Sequence, residues 1–234
     1  RVEGAPRGVL RVTFLDVGQG DSALVDFPDG SAMLVDGGGL VGSPVDVGER
    51  AVLPLLAARR RGLLDVVVIS HPHPDHHLGL SATLARVGAR ELWDTGQGES
   101  EGIAGPYAEL LSLARARGAR VRRPAELCGA HAFGAAIVEV LAPCPDVSPD
   151  HGPNDNSFVI RIRFGERAIV LVGDAERHEE RELLSGPARD RLRADVLKVG
   201  HHGSRKSSSP EFVAAVSPAV AVISNVPNAP GITC

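Results

Sequence analysis

Aromatic side chains are scarce: six Phe, one Trp and one Tyr make up 3% of 234 residues. So sparse a supply offers no evident platform for stacking the bases of a single strand. No apolar run approaches the roughly 20 residues that span a bilayer. Positive charge is not in excess either. The 25 Lys and Arg face 29 Asp and Glu, for a formal net charge of −4, which excludes a general nucleic-acid-binding coat and leaves room only for a local patch. Cysteine is limited to Cys128, Cys144 and Cys234. An odd number at wide spacing supplies neither a metal-ligand pattern nor a disulfide framework. Cys128 and Cys144 are able to pair, but the three read as ordinary core residues and leave the redox compartment open. The chain opens on Arg1 without a signal-like segment and reads as a piece of a longer protein.

What the chain does have is aliphatic bulk, within a hydrophobic total of 43%, enough for one packed core. β-branched runs bounded by turn residues predict strands over 9–15, 23–27 and 32–35, the last two a hairpin around Pro28-Asp29-Gly30. Further strands are expected at 66–69, 90–93, 136–141, 157–164, 167–172, 195–199 and 219–223. Helical spacing marks 49–61, 78–87, 107–118, 176–184 and 210–216. The Arg59-Arg60-Arg61 run reads as a solvated helix end. Arg115, Arg117, Arg120, Arg122 and Arg123 read either as a helix end with an exposed strand or as phosphate contacts. Each half opens with a hairpin and then alternates helix and strand. That order predicts an α/β fold of the αββα type, two mixed β-sheets face to face with helices outside. It would occupy 1–234 as a single domain, with 225–234 as a non-core tail.

The densest chemistry lies directly after Val66-Val67-Val68-Ile69. Four histidines and an aspartate fall between His71 and His77. Imidazole and carboxylate are the usual ligands of zinc, manganese or iron, and Pro72 and Pro74 stiffen the loop that carries them. A solvated polar loop is the bland alternative, but so many ligand types together favour a metal site. Two more predicted strands end in ligand-type residues, Gly173-Asp174 and Gly200-His201-His202-Gly203-Ser204, and the carboxyl ends of strands are where α/β sheets place chemistry. Asp36, before Gly37-Gly38-Gly39, reads as a carboxylate that orients a ligand loop, or as a plain turn aspartate. The glycine run fits neither a dinucleotide fingerprint nor a P-loop.

These residues resemble the metallo-β-lactamase superfamily, whose His-x-His-x-Asp-His loop is here His71-x-His73-x-Asp75-His76. More narrowly, five segments resemble the C-terminal hydrolase domain of ComEC-type DNA-uptake proteins. They are Asp16-Val17-Gly18-Gln19-Gly20-Asp21, Leu34-Val35-Asp36-Gly37-Gly38, Asn154-Asp155-Asn156-Ser157, Gly173-Asp174 and Lys198-Val199-Gly200-His201-His202-Gly203-Ser204. They occur in the family's order and cover most of residues 9–225.

The resemblance implies a hydrolase with two divalent ions, zinc or manganese, and no organic cofactor. It implies His71 and His73 on one ion, Asp75, His76 and His201 on the other, and Asp174 bridging them. Asp75 and His202 then become the catalytic groups, with His202 as general acid or phosphate donor. The third histidine that many members give the first ion has no counterpart. His151, Asn154 and Asn156 lie in its region, and the Asn pair alternatively holds the loop by turn-type hydrogen bonds. Lys198 and Ser204 offer donors for phosphate oxygens, unless Lys198 is an edge residue. The implied function is hydrolysis of DNA, one strand being degraded during uptake in natural competence. The implied setting is the periplasmic side of a bacterial inner membrane, beside a membrane channel in the same parent chain. Two other readings stay open: a small-molecule metallohydrolase acting on a lactone, thioester or small phosphodiester, and a non-catalytic DNA-binding module.

Overall fold

Alternation of side chains along the strands decides the layering. In β2 (Ala23–Asp26), β3 (Ala32–Val35) and β4 (Leu64–Ile69), Leu24, Leu34, Val67 and Ile69 face outward onto helices. Val25, Met33, Val35, Val66 and Val68 face a second sheet. Successive residues of a strand point to opposite faces, so a strand buried on both sides reads as one continuous apolar run. The structure, a computed structural model, describes residues 7–225; of the expected tail only Asn225 is among them, and Cys234 lies outside.

The first sheet has the order β1-β2-β3-β4-β5-β6, with β1 at Arg11–Phe14, β5 at Ala89–Asp94 and β6 at Arg120–Arg122. Its first three strands run antiparallel and β3 to β6 run parallel. The second sheet repeats the plan in mirrored order, β12-β11-β10-β9-β8-β7. It comprises β7 (Gly129–Phe133), β8 (Ala136–Ala142), β9 (Val159–Phe164), β10 (Arg167–Leu171), β11 (Val196–Lys198) and β12 (Val220–Val222). β7 to β10 are antiparallel, and β10, β11 and β12 are parallel. Phe27, Met33 and Trp93 meet Val138, Phe158, Ile160 and Ile162 between the sheets, each fully buried side chain contributing about 1.5–3 kcal/mol. Helices Leu53–Ala58, Leu80–Arg86 and Pro106–Ala116 cover the first sheet. Arg177–Ser185 and Pro210–Val216 cover the second. This is the αββα sandwich that the sequence pattern predicts.

Four local readings need correction. The helix expected at 49–61 is a π-helical turn, Gly48–Val52, followed by Leu53–Ala58 with Pro54 in its first turn, where a missing N–H is tolerated. Its arginine run is not simply solvated: Arg59 and Arg61 both reach the fully buried carboxylate of Asp26, which would otherwise stand unpaired. Cys128 and Cys144 are not core residues. Both are exposed and joined as a disulfide, their Cα atoms 5.7 Å apart. β7 was not expected, because Gly129-Ala130-His131-Ala132-Phe133 lacks the β-branched residues that announce a strand; its pairing to β8 supplies the order.

Candidate metal centre

β4 empties into the histidine loop, and Pro74 opens a single helical turn, Pro74–His77, that carries Asp75 and His76. The loop is clamped from both sides by close backbone approach. A Cβ on Gly20, in the β1–β2 connection, would lie 2.0 Å from the Asp75 carbonyl oxygen, and one on Gly79 would lie 2.1 Å from that of Gly37. Only glycine fits such contacts.

Side chains beneath the loop fix its rings. The Ser70 amide donates to Asp36 Oδ1 at 2.8 Å, and Asp36 Oδ2 lies 2.9 Å from His76 Nδ1. That carboxylate leaves His76 Nε2 turned the other way, the arrangement typical of a metal-ligating imidazole. Ser70 Oγ sits between His71 Nδ1 at 3.1 Å and His76 Nδ1 at 3.2 Å. From the second sheet, Asp174 follows β10 with its amide donating to Ser157 Oγ at 3.1 Å. After β11, His201 and His202 both adopt left-handed backbone, with φ of 45° and 53°. Two consecutive non-glycine residues there store strain, and the turn sends the two rings in different directions.

Three groups of ligand-type atoms result: Asp21, Asp36 and His76 form one, and the other two share Asp174. Of these two, one is Asp75, His76, Asp174 and His202; the other is His71, His73 and Asp174; within each, the atoms lie within 4.8 Å of one another. In the first, His76 Nε2 is 3.2 Å from Asp174 Oδ1, and His202 Nε2 is 3.2 Å from Asp75 Oδ2 and 3.5 Å from Asp174 Oδ2. In the second, His71 Nε2 is 3.0 Å from His73 Nδ1 and 3.7 Å from Asp174 Oδ2. Despite this crowding, His76 Nε2, His202 Nε2 and Asp174 Oδ1 are buried without a hydrogen-bond partner. A bare buried polar atom costs about 1–3 kcal/mol, and a divalent cation among these atoms would satisfy all three. The donor set, imidazole nitrogen with carboxylate oxygen, fits zinc or manganese.

Without a cation, protons hold the cluster together. Burial disfavours the charged form of His76, but Asp174 and Asp36 outweigh it and its pKa lies well above the usual value. For His202 burial is likewise overcome, by Asp174, Asp21 and Asp75, and the pKa is pushed up to about 11. Burial, helped by the charge of His76, instead drives His71 well below the ordinary range. Asp174 goes far down: burial opposes ionisation, but the charge of His76 and the nearby His202 imidazole prevail.

The remaining expected residues fall in several places. His202, not His201, lies in the four-membered group. His201 turns its Nδ1 to Glu176 Oε1 at 2.8 Å and keeps its Nε2 3.8 Å from Asp174. Asn154 donates to the same Glu176 oxygen at 3.1 Å. Asn156 is buried and staples the 148–156 loop, accepting from the Ser148 amide and donating to the Ser148 and His151 carbonyls. His151 faces Glu182 instead, at 3.6 Å. Ser204 Oγ accepts the Lys206 amide within its own turn. Lys198 is buried, and its Nζ lies 2.7 and 2.8 Å from the Asp21 oxygens, so it is no edge residue. Asp21 in turn approaches His202 Nδ1 at 3.5 Å. Asp21 and Glu176 are thus placed behind the site without having been singled out in sequence. Asp21's signal was its place after Gly18-Gln19-Gly20, a turn too tight to be idle; Glu176 had none.

Comparison with known proteins agrees with this architecture. Residues 15–125 match the family model of the metallo-beta-lactamase superfamily. ComE operon protein 3 of Bacillus subtilis is 28% identical over 225 residues, covering 91% of this chain and 28% of that protein. Competence protein ComA of Neisseria gonorrhoeae is 30% identical over 225 residues, covering 96% of this chain and 28% of that protein. The chain thus spans about a quarter of the length of the curated relatives it matches. The metallo-beta-lactamase fold protein YhfI of Bacillus subtilis superposes with a TM-score of 0.54 at 12% identity, over 92% of this chain and 86% of that one.

Proposed function

We propose that this chain, whose residues 15–125 match the metallo-beta-lactamase superfamily, is a two-metal phosphodiesterase whose substrate is DNA, one strand of which it degrades during uptake in natural competence. The observation that carries the reading is Asp174, a nearly fully buried carboxylate shared by two ligand groups with bare nitrogen and oxygen atoms around it. In this reading His71, His73 and Asp174 would hold one divalent ion, and Asp75, His76, Asp174 and His202 the other. Two such ions, when bound, neutralise charge on a phosphate and acidify an attacking water.

The chain's own side chains account for the rest. Asp36 keeps the His76 ring turned so that Nε2 faces the site; the Ser224 carbonyl, 3.2 Å from His202 Nδ1, together with Asp21, held by Lys198, does the same for His202. Hydrolysis joins the water oxygen to phosphorus and breaks the bond from phosphorus to the departing sugar oxygen. Asp75, the most exposed carboxylate of the two groups, receives the water's proton. The departing oxygen needs a proton in return. His201 is placed to give it, part-exposed at the mouth of the site, with Glu176 behind its Nδ1. The general-acid role therefore passes from His202 to His201, because His202 is committed to the ligand group.

The domain is proposed as the hydrolase portion of a longer protein that also carries the membrane channel. Among the described residues no helix is long and apolar enough to cross a membrane. The exposed Cys128–Cys144 disulfide supports the extracytoplasmic side, where such bonds persist. Cleavage of end-labelled single- and double-stranded DNA, beside bis(p-nitrophenyl) phosphate and a thioester, tests the function, with Asp174→Ala as control. DNA cut by the wild type with manganese or zinc, and not by the variant, supports the nuclease. Thioester or minimal-diester turnover with intact DNA would replace it by a small-molecule hydrolase. DNA binding that survives chelation, without turnover, would leave a binding module.

A further inference from the structure

His73 stands between two unlike hollows. On one side lies a polar basin that it shares with His151, Asn154, Glu176, His178 and Lys206. On the other is a groove of about 670 Å³ formed by the 39–47 loop, the histidine loop and the start of the Pro106–Ala116 helix. The groove's walls are aliphatic and prolyl, among them Leu40, Val45, Pro72, Ile103 and Pro106. Leu40 and Val41 stand at its rim 59% and 70% exposed, and exposed apolar side chains beside a reactive centre mark a binding surface. Its one carboxylate, Asp46, is engaged by the Glu49 amide, and no lysine or arginine lines it. A phosphate has nothing to hold there, whereas a flat uncharged ring does. His77 also lines the groove, and its Nδ1 is buried without a hydrogen-bond partner.

The surface charge argues the same way. Of the arginines that might have tracked a phosphate backbone, Arg115 is paired with Glu99, Arg120 with Glu126, Arg122 with Glu91, and Arg123 with Asp94 and Glu99, while Arg117 is exposed. With most of this basic cluster neutralised, a nucleic acid that reaches the site gains from contacts other than a basic coat.

Resting on the phosphodiesterase reading, we propose that the groove is a base-binding subsite that receives the nucleobase next to the scissile phosphate, and so makes the substrate a single strand. A base seated among Leu40, Val45 and the proline rings has left its Watson–Crick partner, which a duplex concedes only at the cost of unstacking. Contacts of this kind are tolerant of sequence, because every base offers a flat face. The groove thus supplies with aliphatic and prolyl walls what the scarcity of aromatics seemed to exclude.

The test compares kcat/KM for four substrates of the manganese-loaded domain: an oligothymidylate, the same backbone with abasic sites, a duplex and bis(p-nitrophenyl) phosphate. The proposal expects the abasic strand and the duplex each to be cut roughly tenfold less efficiently than the oligothymidylate. The double variant Leu40→Ser/Val41→Ser removes exposed side chains only, and should erase the advantage of the base-bearing strand over the abasic one. His77→Phe, which keeps a ring and deletes its nitrogens, should reduce the same ratio. Fluorescence anisotropy of labelled oligothymidylate on metal-stripped protein should show the same order without turnover. An abasic strand or a duplex cut as efficiently as the oligothymidylate overturns the subsite while leaving the nuclease standing. Hydrolysis of the minimal diester with every strand left intact overturns the nuclease reading, and the subsite with it.

Discussion

The two ligand groups share Asp174 but are built to different standards. The four-membered group has one part-exposed ligand, Asp75, and is otherwise buried and braced: Asp36 and Ser70 stand behind His76, and the Ser224 carbonyl and Asp21, held by Lys198, stand behind His202. The three-membered group has only Ser70 Oγ behind His71, and His73 is half-buried at the border of two hollows. Among the described residues no fourth nitrogen or carboxylate joins it. A site whose ligands are pre-oriented loses less conformational freedom on binding. The closed group is therefore expected to hold its ion tightly and the open group to exchange its ion, leaving coordination positions for substrate and water.

Asp174→Ala abolishes the distinction and has the largest effect. With both groups broken, turnover should fall more than about a thousandfold, and metal analysis after dialysis should find no ion retained. Single ligand changes then separate the groups. His202→Ala should lose the tightly held ion, and His71→Ala should keep it while losing the exchangeable one. His201→Ala should keep both ions yet lower kcat by about a hundredfold, as loss of a general acid does, with a substrate bearing a good leaving group spared. If His201→Ala loses the tight ion instead, the assignment of His202 to the closed group fails. Asp36→Asn should weaken the tight site by about ten- to a hundredfold, read by competition with a chromophoric chelator, with little change at the other.

Proton release sharpens the same contrast. In the cation-free domain the raised pKa values of His76 and His202 mean that the closed group carries protons which a metal must expel. Its affinity should therefore rise with pH, by about tenfold per unit for each proton released. His71 and His73, both lowered, are already neutral near pH 7, so the open group should show a much flatter profile. The same sign governs the cation-free fold. Stabilisation from protonated His202 is fully present below the ordinary histidine pKa of about 6.5, and is lost as pH rises through about 11. Calorimetric titration in buffers of different ionisation enthalpy reads both proton counts.

How much of this the sequence disclosed depends on whether the cause was local. Most strands of both sheets and the histidine loop were legible, because burial on two faces writes an apolar run and ligand chemistry writes a polar cluster after it. Asp36 was legible as an orienting carboxylate for the same reason, standing at a strand end. What decides between His201 and His202 is a pair of left-handed residues between Gly200 and Gly203, and side-chain identity says nothing about which ring such a turn sends inward. Lys198 looked like a substrate contact or an edge residue. Its partner Asp21 lies 177 residues away in sequence, a distance over which no local pattern speaks. Cys128 and Cys144 belong to the same class: their pairing depends on β7 lying against β8, and β7 carries no strand signal of its own.

That disulfide yields the smallest and most selective effect. Cys144 stands at the head of the 143–156 loop, which Asn156 closes through Ser148 and His151. The loop's Asn154 helps hold Glu176, and Glu176 holds His201. None of these residues supports His76 or His202. Replacing Cys128 and Cys144 by serine should cost about 3 kcal/mol of stability, as expected for a closed loop of this length, measured by urea denaturation. At temperatures where the variant stays folded, the tight ion should be retained, and turnover should fall by less than about tenfold through a less well-placed His201. A variant that instead loses the tight ion would show that the closed group leans on this loop, and the division between a braced group and an open one would have to be redrawn.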